Sequence, residues 1–256
     1  MEKLVIIPTY NEKENIEKIL QAVYDLQQDF HVLVIDDGSP DGTANIVREL
    51  QPRFNGTVFL EERRGKLGLG TAYIHGFKWA LEKGYQFIFE MDADFSHSPA
   101  DLPRLYNACK NEDADVAIGS RYVKGGGVYN WPKDRIYLSI GGSVYTRMIL
   151  WTPVRDQTAG FVCFRREVLE TINLDEIHFV GYAFQIEMKF AAWKLGFKLQ
   201  EVPIQFTDRQ FGESKMNRSI IKEGVLGVLK LRWYSFFTNY RRRVKSKSMA
   251  TAEKVM

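Results

Sequence analysis

The chain has 256 residues, 45% apolar and 26% charged, the make-up of an ordinary globular protein large enough for one sizeable core. A formal charge of +3 is too small to point to nucleic acid, yet five basic residues (Arg241, Arg242, Arg243, Lys245 and Lys247) crowd positions 241–247 near the end of the chain. No stretch reaches the ~20 uninterrupted apolar residues that span a bilayer.

Leu4-Val5-Ile6-Ile7-Pro8 is a continuous apolar run, the mark of a strand buried on both faces of a parallel sheet. No signal peptide precedes it. Asn11 followed by Glu14 reads as a capping box opening a helix, with Ile16, Ile19, Leu20 and Val23 at helical spacing. Val32 to Ile35 is a second buried strand, Thr43 to Leu50 a short helix, and Val58 to Leu60 a third strand. Gly68 to Leu81 is a helix entered through a glycine-rich turn, and Phe87 to Met91 a fourth strand. Ser98 reads as the cap of the next helix, with Pro99 in its first turn. This alternation predicts an α/β domain with a mostly parallel sheet flanked by helices.

The second half is less regular. Strands are expected over 116–118, 160–164 and 198–206, and helices over 133–151, 182–195 and 219–237. Gly125-Gly126-Gly127 reads as a flexible link, and 208–215 as a polar loop with two cations around Gly212. Cys109 and Cys163 lie inside apolar patterns and in no metal-ligand spacing, so buried free thiols are expected. The chain divides at 218: a main domain over 1–218, then an amphipathic helix and basic tail over 219–256 that meet a membrane surface.

Three strands end in polar signatures: Pro8-Thr9-Tyr10-Asn11-Glu12, Asp36-Asp37-Gly38-Ser39 and Asp92-Ala93-Asp94. Parallel strands carry all three to one edge, where ligands of open α/β sheets collect. Two hard carboxylates there suit a cation of the Mg2+ kind, completed by phosphate oxygens of a substrate. A bare Asp-x-Asp is otherwise a solvated acidic turn; the convergence of three strand ends favours a site.

These motifs, with Asp41-Gly42-Thr43 and Lys66-Leu67-Gly68-Leu69-Gly70-Thr71-Ala72-Tyr73, resemble the family 2 inverting glycosyltransferases of GT-A (Rossmann-like) fold. Gly119-Ser120-Arg121-Tyr122, Gly181-Tyr182-Ala183-Phe184-Gln185-Ile186-Glu187 and Asp208-Arg209 with Gly212-Glu213-Ser214-Lys215 are similar to the dolichol-phosphate (polyprenol-phosphate) mannose synthases. The resemblance runs in order over about residues 3–237. It implies inverting transfer of mannose from GDP-mannose to dolichyl or polyprenyl phosphate, with Mg2+ or Mn2+. It also implies a peripheral enzyme on the cytoplasmic face of a membrane, in some relatives held by a small separate membrane subunit.

By the same resemblance Pro8, Tyr10, Glu12, Ile35, Asp37 and Lys66 line the nucleotide and diphosphate pocket, and Asp92, Ala93 and Asp94 meet the sugar nucleotide. Asp92, Asp94 and the short Ser96 hold the metal. Arg121, Arg209 and Lys215 are cations for the donor's phosphates, with Asp94, Arg209 and Lys215 the catalytic set. Arg121, Arg135 and Ser139 meet the acceptor phosphate. Plainer roles stay open: Glu12 favouring a helix start, Asp37 shaping its turn, and the cations solvated at the surface. Gln185 and Glu187 either brace the site or form a buried polar pair.

Two other classes fit poorly. A nucleotidyltransferase needs a basic glycine loop after its first strand, and a dinucleotide-binding enzyme needs a third glycine where Tyr73 stands. A non-catalytic sugar-nucleotide binding module would not need the cations of the second half. Glucosyl or other sugar transfer from a UDP-sugar stays open within the class.

Overall fold

The computed structural model describes residues 1–181, 183–208 and 218–241, and only the backbone over 218–223. The strands are β1 (Lys3–Thr9), β2 (Phe30–Asp36), β3 (Val58–Glu62), β4 (Phe87–Glu90), β5 (Val116–Ser120), β6 (Gly127–Tyr129), β7 (Val162–Arg165), β8 (Leu199–Pro203) and β9 (Gln205–Thr207). The helices are α1 (Ile16–Tyr24), α2 (Thr43–Leu50), α3 (Leu69–Lys83), α4 (Leu102–Lys110), α5 (Lys133–Leu150), α6 (Arg166–Thr171), α7 (Ala183–Lys194) and α8 (Arg218–Tyr234).

Seven strands form one sheet in the order β3-β2-β1-β4-β7-β5-β8. The continuous apolar runs divide by the two-residue strand period. Leu4, Ile6, Leu33 and Ile35 join the core under α3, α6, α7 and α8. Val5, Ile7, Val32 and Val34 join the core under α1, α2 and α4. Each such side chain contributes roughly 1.5–3 kcal/mol of burial, which is why both faces must be covered.

All pairings in this sheet are parallel except those of β7, which runs antiparallel to β4 and β5. Its first residue, Val162, pairs with Glu90 and with Ile118. The segment leading into β7 is thereby delivered to the same edge as the ends of β1, β2, β4 and β5.

Several local expectations change. Asn11 does not cap a helix: it adopts a left-handed φ of 61°, and α1 starts at Ile16 after a turn closed on the Glu12 carbonyl. Ser98 starts a 3-10 turn without a side-chain cap, and α4 begins only at Leu102. The strand expected over 198–206 is broken at Ile204, with β9 pairing instead with β6 in a separate two-stranded sheet. The glycine stretch 125–127 supplies that partner, so it is structured rather than a bare link. The α8 segment is not set apart from the body: Val228, Leu231 and Tyr240 join the core, and the Asn173 NH donates to the Tyr240 carbonyl at 2.7 Å. Both cysteines are buried free thiols.

Candidate active site

The edge falls into a donor-side half beyond β1 and β2 and a second half beyond β4, β7 and β5. On the first half, Asp36 knits the two strand ends together, accepting from the Thr9 hydroxyl (2.8 Å), the Ser39 NH (2.8 Å) and the Ser39 hydroxyl (2.6 Å). Asp37, nearly buried, is gripped by Arg63, whose Nε donates to its Oδ1 at 2.7 Å. Arg63 also reaches the Thr71 hydroxyl at 2.9 Å. Sequence reasoning missed Arg63. The signal was the strand register: Asp36 pairs with Glu62 and the Arg63 NH bonds the Asp36 carbonyl, so the next cation falls beside Asp37.

Tyr10 and Lys66 meet, the ammonium lying 4.9 Å from the ring centroid. Glu12 accepts from Asn15 Nδ2 at 2.9 Å within its own turn, while its NH donates to the Thr43 hydroxyl. Pro8 is half-buried beside them. The side chain of Ile35 is fully buried in the core under α3, so what this residue offers the edge is its backbone.

The glycine turn before α3 also has a different use from phosphate binding alone. Gly68 holds a φ of 100°, and a Cβ on Gly70 would lie 2.8 Å from the Phe179 carbonyl and the Phe184 ring. The Gly70 NH donates to the Val180 carbonyl at 2.8 Å, so that helix-start donor is already used. Glu187 braces the facing segment, accepting from the NH groups of His178 (2.9 Å) and Phe179 (3.0 Å).

Beyond β4 the chain turns sharply, with Phe95 at a φ of 58°. Asp92 keeps 39% of its side chain exposed, whereas Asp94, Ser96 and Ala93 are buried. Asp94 accepts the Ser96 NH at 3.0 Å. His97 is clamped flat on Phe161 (5.1 Å) and edge-on to Phe206 (5.3 Å). Burial holds its pKa well below the usual histidine value. Behind the carboxylates, Glu90 at the end of β4 is fully buried and coupled to the equally buried Lys189. Burial raises the pKa of the carboxyl and lowers that of the amine, while each charge favours the other's. Lys189 Nζ donates to the Ala159 carbonyl at 2.7 Å, holding the segment before β7 from below.

Among the described residues no group of three or more histidine, cysteine or acidic side chains is gathered to hold a metal. The pair Asp92 and Asp94, one half-open and one buried, suits a cation that takes its remaining ligands from substrate and water.

From these carboxylates a cavity of about 490 Å³ runs between α5 and α8. Its polar lining includes Asp92, Asp94, Arg121, Arg135, Ser139 and Gln185, and its apolar lining Tyr137, Leu138, Tyr145, Val225 and Val228. Arg135 lies over Trp131 at 3.8 Å and pairs with Asp208 at 3.2 Å. The Ser139 hydroxyl accepts from Tyr122 Oη at 2.7 Å.

Arg121 departs from the expectation of a cation open to phosphate. It is buried and bidentate to Asp156, through Nε at 2.7 Å and Nη2 at 2.6 Å, with Nη2 also on the Thr158 hydroxyl. A fully buried carboxylate at that distance neutralises most of its charge. Asp156 was missed because it sits 35 residues on, in an irregular stretch brought back only by β7. Arg209, Lys215, Tyr182 and the tail beyond Arg241 lie outside the described residues.

Outside the cavity, α5 and α8 present large apolar side chains to solvent. Val144, Met148 and Trp151 follow one face of α5 and its end; Leu226, Leu229, Trp233, Phe236 and Phe237 line α8 and its end. Arg232 covers Trp151 and Phe236. Among the described residues no helix is long and apolar enough to cross a membrane.

A seven-stranded, mostly parallel sheet with acidic strand ends at one edge and a cavity beside them is the GT-A architecture of glycosyltransferases. The glycosyl transferase family 2 model matches residues 4–172, and the chain belongs to that family. It is 48% identical over 225 residues to polyprenol monophosphomannose synthase of Mycolicibacterium smegmatis, covering 88% of this chain and 84% of that one. It is 45% identical over 233 residues to undecaprenyl-phosphate mannosyltransferase of Micrococcus luteus, covering 91% and 94%.

Among solved structures it resembles the mannosyltransferase of Pyrobaculum calidifontis in complex with GDP-Man and Mn2+. That match has a TM-score of 0.58 and 19% identity, over 93% of this chain and 65% of that one. Glucosyl-3-phosphoglycerate synthase of Mycobacterium tuberculosis, in complex with Mn2+ and UDP, gives a TM-score of 0.63 at 18% identity, over 90% and 79%. The protein is therefore a GT-A glycosyltransferase whose named relatives are polyprenyl-phosphate mannosyltransferases.

Proposed function

We propose that this glycosyltransferase transfers mannose from GDP-mannose to a polyprenyl (dolichyl-type) phosphate, with inversion, at the cytoplasmic surface of a membrane. The observation that carries this is the cavity: polar and cationic at the strand ends, apolar between α5 and α8, and flanked by exposed aromatic side chains. A phosphate joined to a long isoprenoid chain has that polarity. The relatives' names point to the same acceptor class. The transfer domain extends through α8, whose Val228 and Leu231 pack into the core, and the exposed faces of α5 and α8 with the basic tail form the membrane contact.

Asp92 and Asp94, with Ser96 beside them, hold a Mg2+ or Mn2+ ion, which supplies charge neutralisation for the departing diphosphate. Asp37, fixed by Arg63, and the Tyr10–Lys66 pair take the nucleotide. Arg209 and Lys215 meet the donor's phosphates. Arg135 and Ser139 hold the acceptor phosphate, which must release Arg135 from Asp208. A phosphomonoester is already ionised near neutral pH, so no side chain has to remove a proton from it. The site therefore needs charge balance and alignment of two anions rather than the paired acid and base of a glycosidase.

The test is incubation of the full chain with labelled GDP-mannose or UDP-glucose, a polyprenyl phosphate and Mg2+ or Mn2+, followed by lipid extraction. Mannosyl lipid that disappears on chelation, and in Asp94→Ala by ~10³-fold or more, is expected. Asp94→Ala should leave the unfolding midpoint nearly unchanged. Substantial turnover by that variant at saturating donor would remove the metal assignment, and label from UDP-glucose alone would replace the donor.

A further inference from the structure

Near the Asp92 end of the cavity, both amide atoms of Gln185 and Nδ1 of His97 are buried with no well-formed hydrogen bond among the described residues. The Gln185 amide lies beside the Glu90 carboxyl closely enough to stabilise its charge, but not in ideal hydrogen-bond geometry. Buried polar atoms are seldom left so, and each costs free energy until something bonds it. Gln185 and His97 are 97% buried, yet both line the cavity together with Asp92 and Asp94. They also converge. A Cβ placed on Gly160 would lie 3.8 Å from Gln185 Nε2 and 3.9 Å from His97 Cε1, so both close on the bare α-carbon of one glycine. His97 Nδ1 stands 4.0 Å from Asp92 Oδ2, beyond a hydrogen bond. The stack on Phe161 and the edge contact with Phe206 fix the plane of its ring.

What this floor can bind follows from its chemistry. An amide and an imidazole each offer a donor and an acceptor. A phosphate oxygen needs donors and, preferably, cations. Here the cation that acts on His97, Arg121, is already held bidentate by Asp156, and the group beside Gln185 is a carboxyl, Glu90. A hexose hydroxyl both donates and accepts, and suits such a pair. An anion is served instead by Arg135 on α5, which lines the same cavity. Phosphate and sugar chemistry thus fall to different elements of one cavity: α5 for the first, α7 and the turn after β4 for the second.

We propose that Gln185 and His97, with the gap left by Gly160 between them, form the subsite that binds the hydroxyls of the transferred hexose and discriminates between its epimers. This rests on the reading of the chain as a sugar-nucleotide-dependent transferase, and deepens it. Neither residue is assigned to the metal or to the nucleotide. They act as specificity residues, and Glu187, two positions further along α7, braces a loop instead.

The experiment uses the full chain with Mn2+ and four donors: GDP-mannose, GDP-glucose, UDP-glucose and UDP-galactose. Calorimetry compares each donor with its free nucleoside diphosphate, and transfer assays give kcat/KM for each hexose. For Gln185→Leu, an apolar near-isostere, unchanged GDP affinity is expected, with kcat/KM for the preferred donor ~10–100-fold lower. The preference over its epimer should shrink by a similar factor. Gly160→Ala, which fills the gap with a methyl group, should weaken sugar-nucleotide binding while leaving GDP binding unchanged, and serves if Gln185→Leu fails to fold.

Unaltered epimer preference in a folded Gln185→Leu chain would overturn the proposal. So would an equal loss of GDP and GDP-mannose binding, because that places Gln185 in the nucleotide site. If the wild type transfers glucose but not mannose, the functional reading changes donor while the subsite is tested on the glucose pair. If the wild type binds each nucleoside diphosphate as tightly as its sugar conjugate and transfers no hexose, the subsite proposal fails with the functional reading.

Discussion

The two halves of the carboxyl edge satisfy their polar groups in opposite ways. On the donor side, beyond β1 and β2, strand-end carboxylates are tied by side chains from the same half: Asp36 by Thr9 and Ser39, Asp37 by Arg63. On the other side, Gln185 and His97 keep buried atoms with no well-formed hydrogen bond among the described residues, and α5 and α8 expose aromatic rings. The first half is set before any ligand arrives. The second half carries desolvated polar atoms and uncovered apolar surface, both of which bound substrate and a bilayer would relieve. Under the proposed function this division suits a two-substrate site: a rigid half would hold the nucleotide while the second half adapts.

The strongest way to break the comparison is to uncouple the Arg121–Asp156 pair, which is pre-set in the second half. Asp156→Ala leaves Arg121 buried without its counterion, so a loss of ~3–5 kcal/mol is expected. That corresponds to an unfolding midpoint lower by roughly 10 °C. An unchanged midpoint in thermal denaturation would mean that Arg121 escapes to solvent and that the second half is softer than the pair implies.

On the donor side, Arg63→Met removes the grip on Asp37. We expect KM for the sugar nucleotide to rise ~10–100-fold, with kcat nearly kept, since a hydrogen bond to a charged group is worth about 1.5–3 kcal/mol. A fall confined to kcat in steady-state kinetics would instead place Arg63 in the chemical step.

The exposed aromatics sharpen the contrast without touching either core. Replacing Trp151, Trp233 and Phe237 by serine should lower co-sedimentation with anionic vesicles ~10-fold or more, because large apolar side chains no longer enter the interface. Activity on a short, water-soluble polyprenyl phosphate should hardly change. Deleting 242–256, which removes four of the five clustered cations, should have a smaller effect that vanishes at high salt. Equal vesicle binding by the aromatic variant would move the membrane contact elsewhere.

The smallest expected effect concerns the buried Glu90–Lys189 pair. Burial raises the Glu90 pKa to about 8, so its stabilising contribution is complete below the unfolded value of 4.5 and is lost as pH rises toward about 8. Lys189 is lowered to about 8, so its contribution is present above the unfolded 10.5 and is lost as pH falls toward about 8. Stability measured by denaturant titration should therefore pass through a minimum near pH 8. The double variant Glu90→Gln, Lys189→Met should flatten it. A minimum that persists in the double variant would assign it to other groups.

Most of the donor half was legible in the residue order. Strands β1, β2 and β4 read from unbroken apolar runs, and their polar ends read from composition, because a parallel sheet must bury both faces and leave its carboxyl edge to polar groups. The failure there is local: Asn11 belongs to a left-handed turn rather than a helix cap. In the other half the strand period said nothing about direction, so the reversal of β7 could not be read. Asp156, Thr158 and Gly160 were invisible for the same reason, since β7 alone brings them beside β4.

The chain by itself determined the sheet-and-helix alternation, the acidic strand ends and the apolar helices near the surface. Each follows from local periodicity and from the need to bury apolar side chains. Only the tertiary structure decided which charges are already spent. Arg121 is taken by Asp156, Asp37 by Arg63, and the Gly70 NH by the Val180 carbonyl. It also decided which polar atoms remain unsatisfied around Gln185. Those outcomes depend on contacts between segments far apart in sequence, whose distances are set by the packing of the whole sheet and carry no local signature.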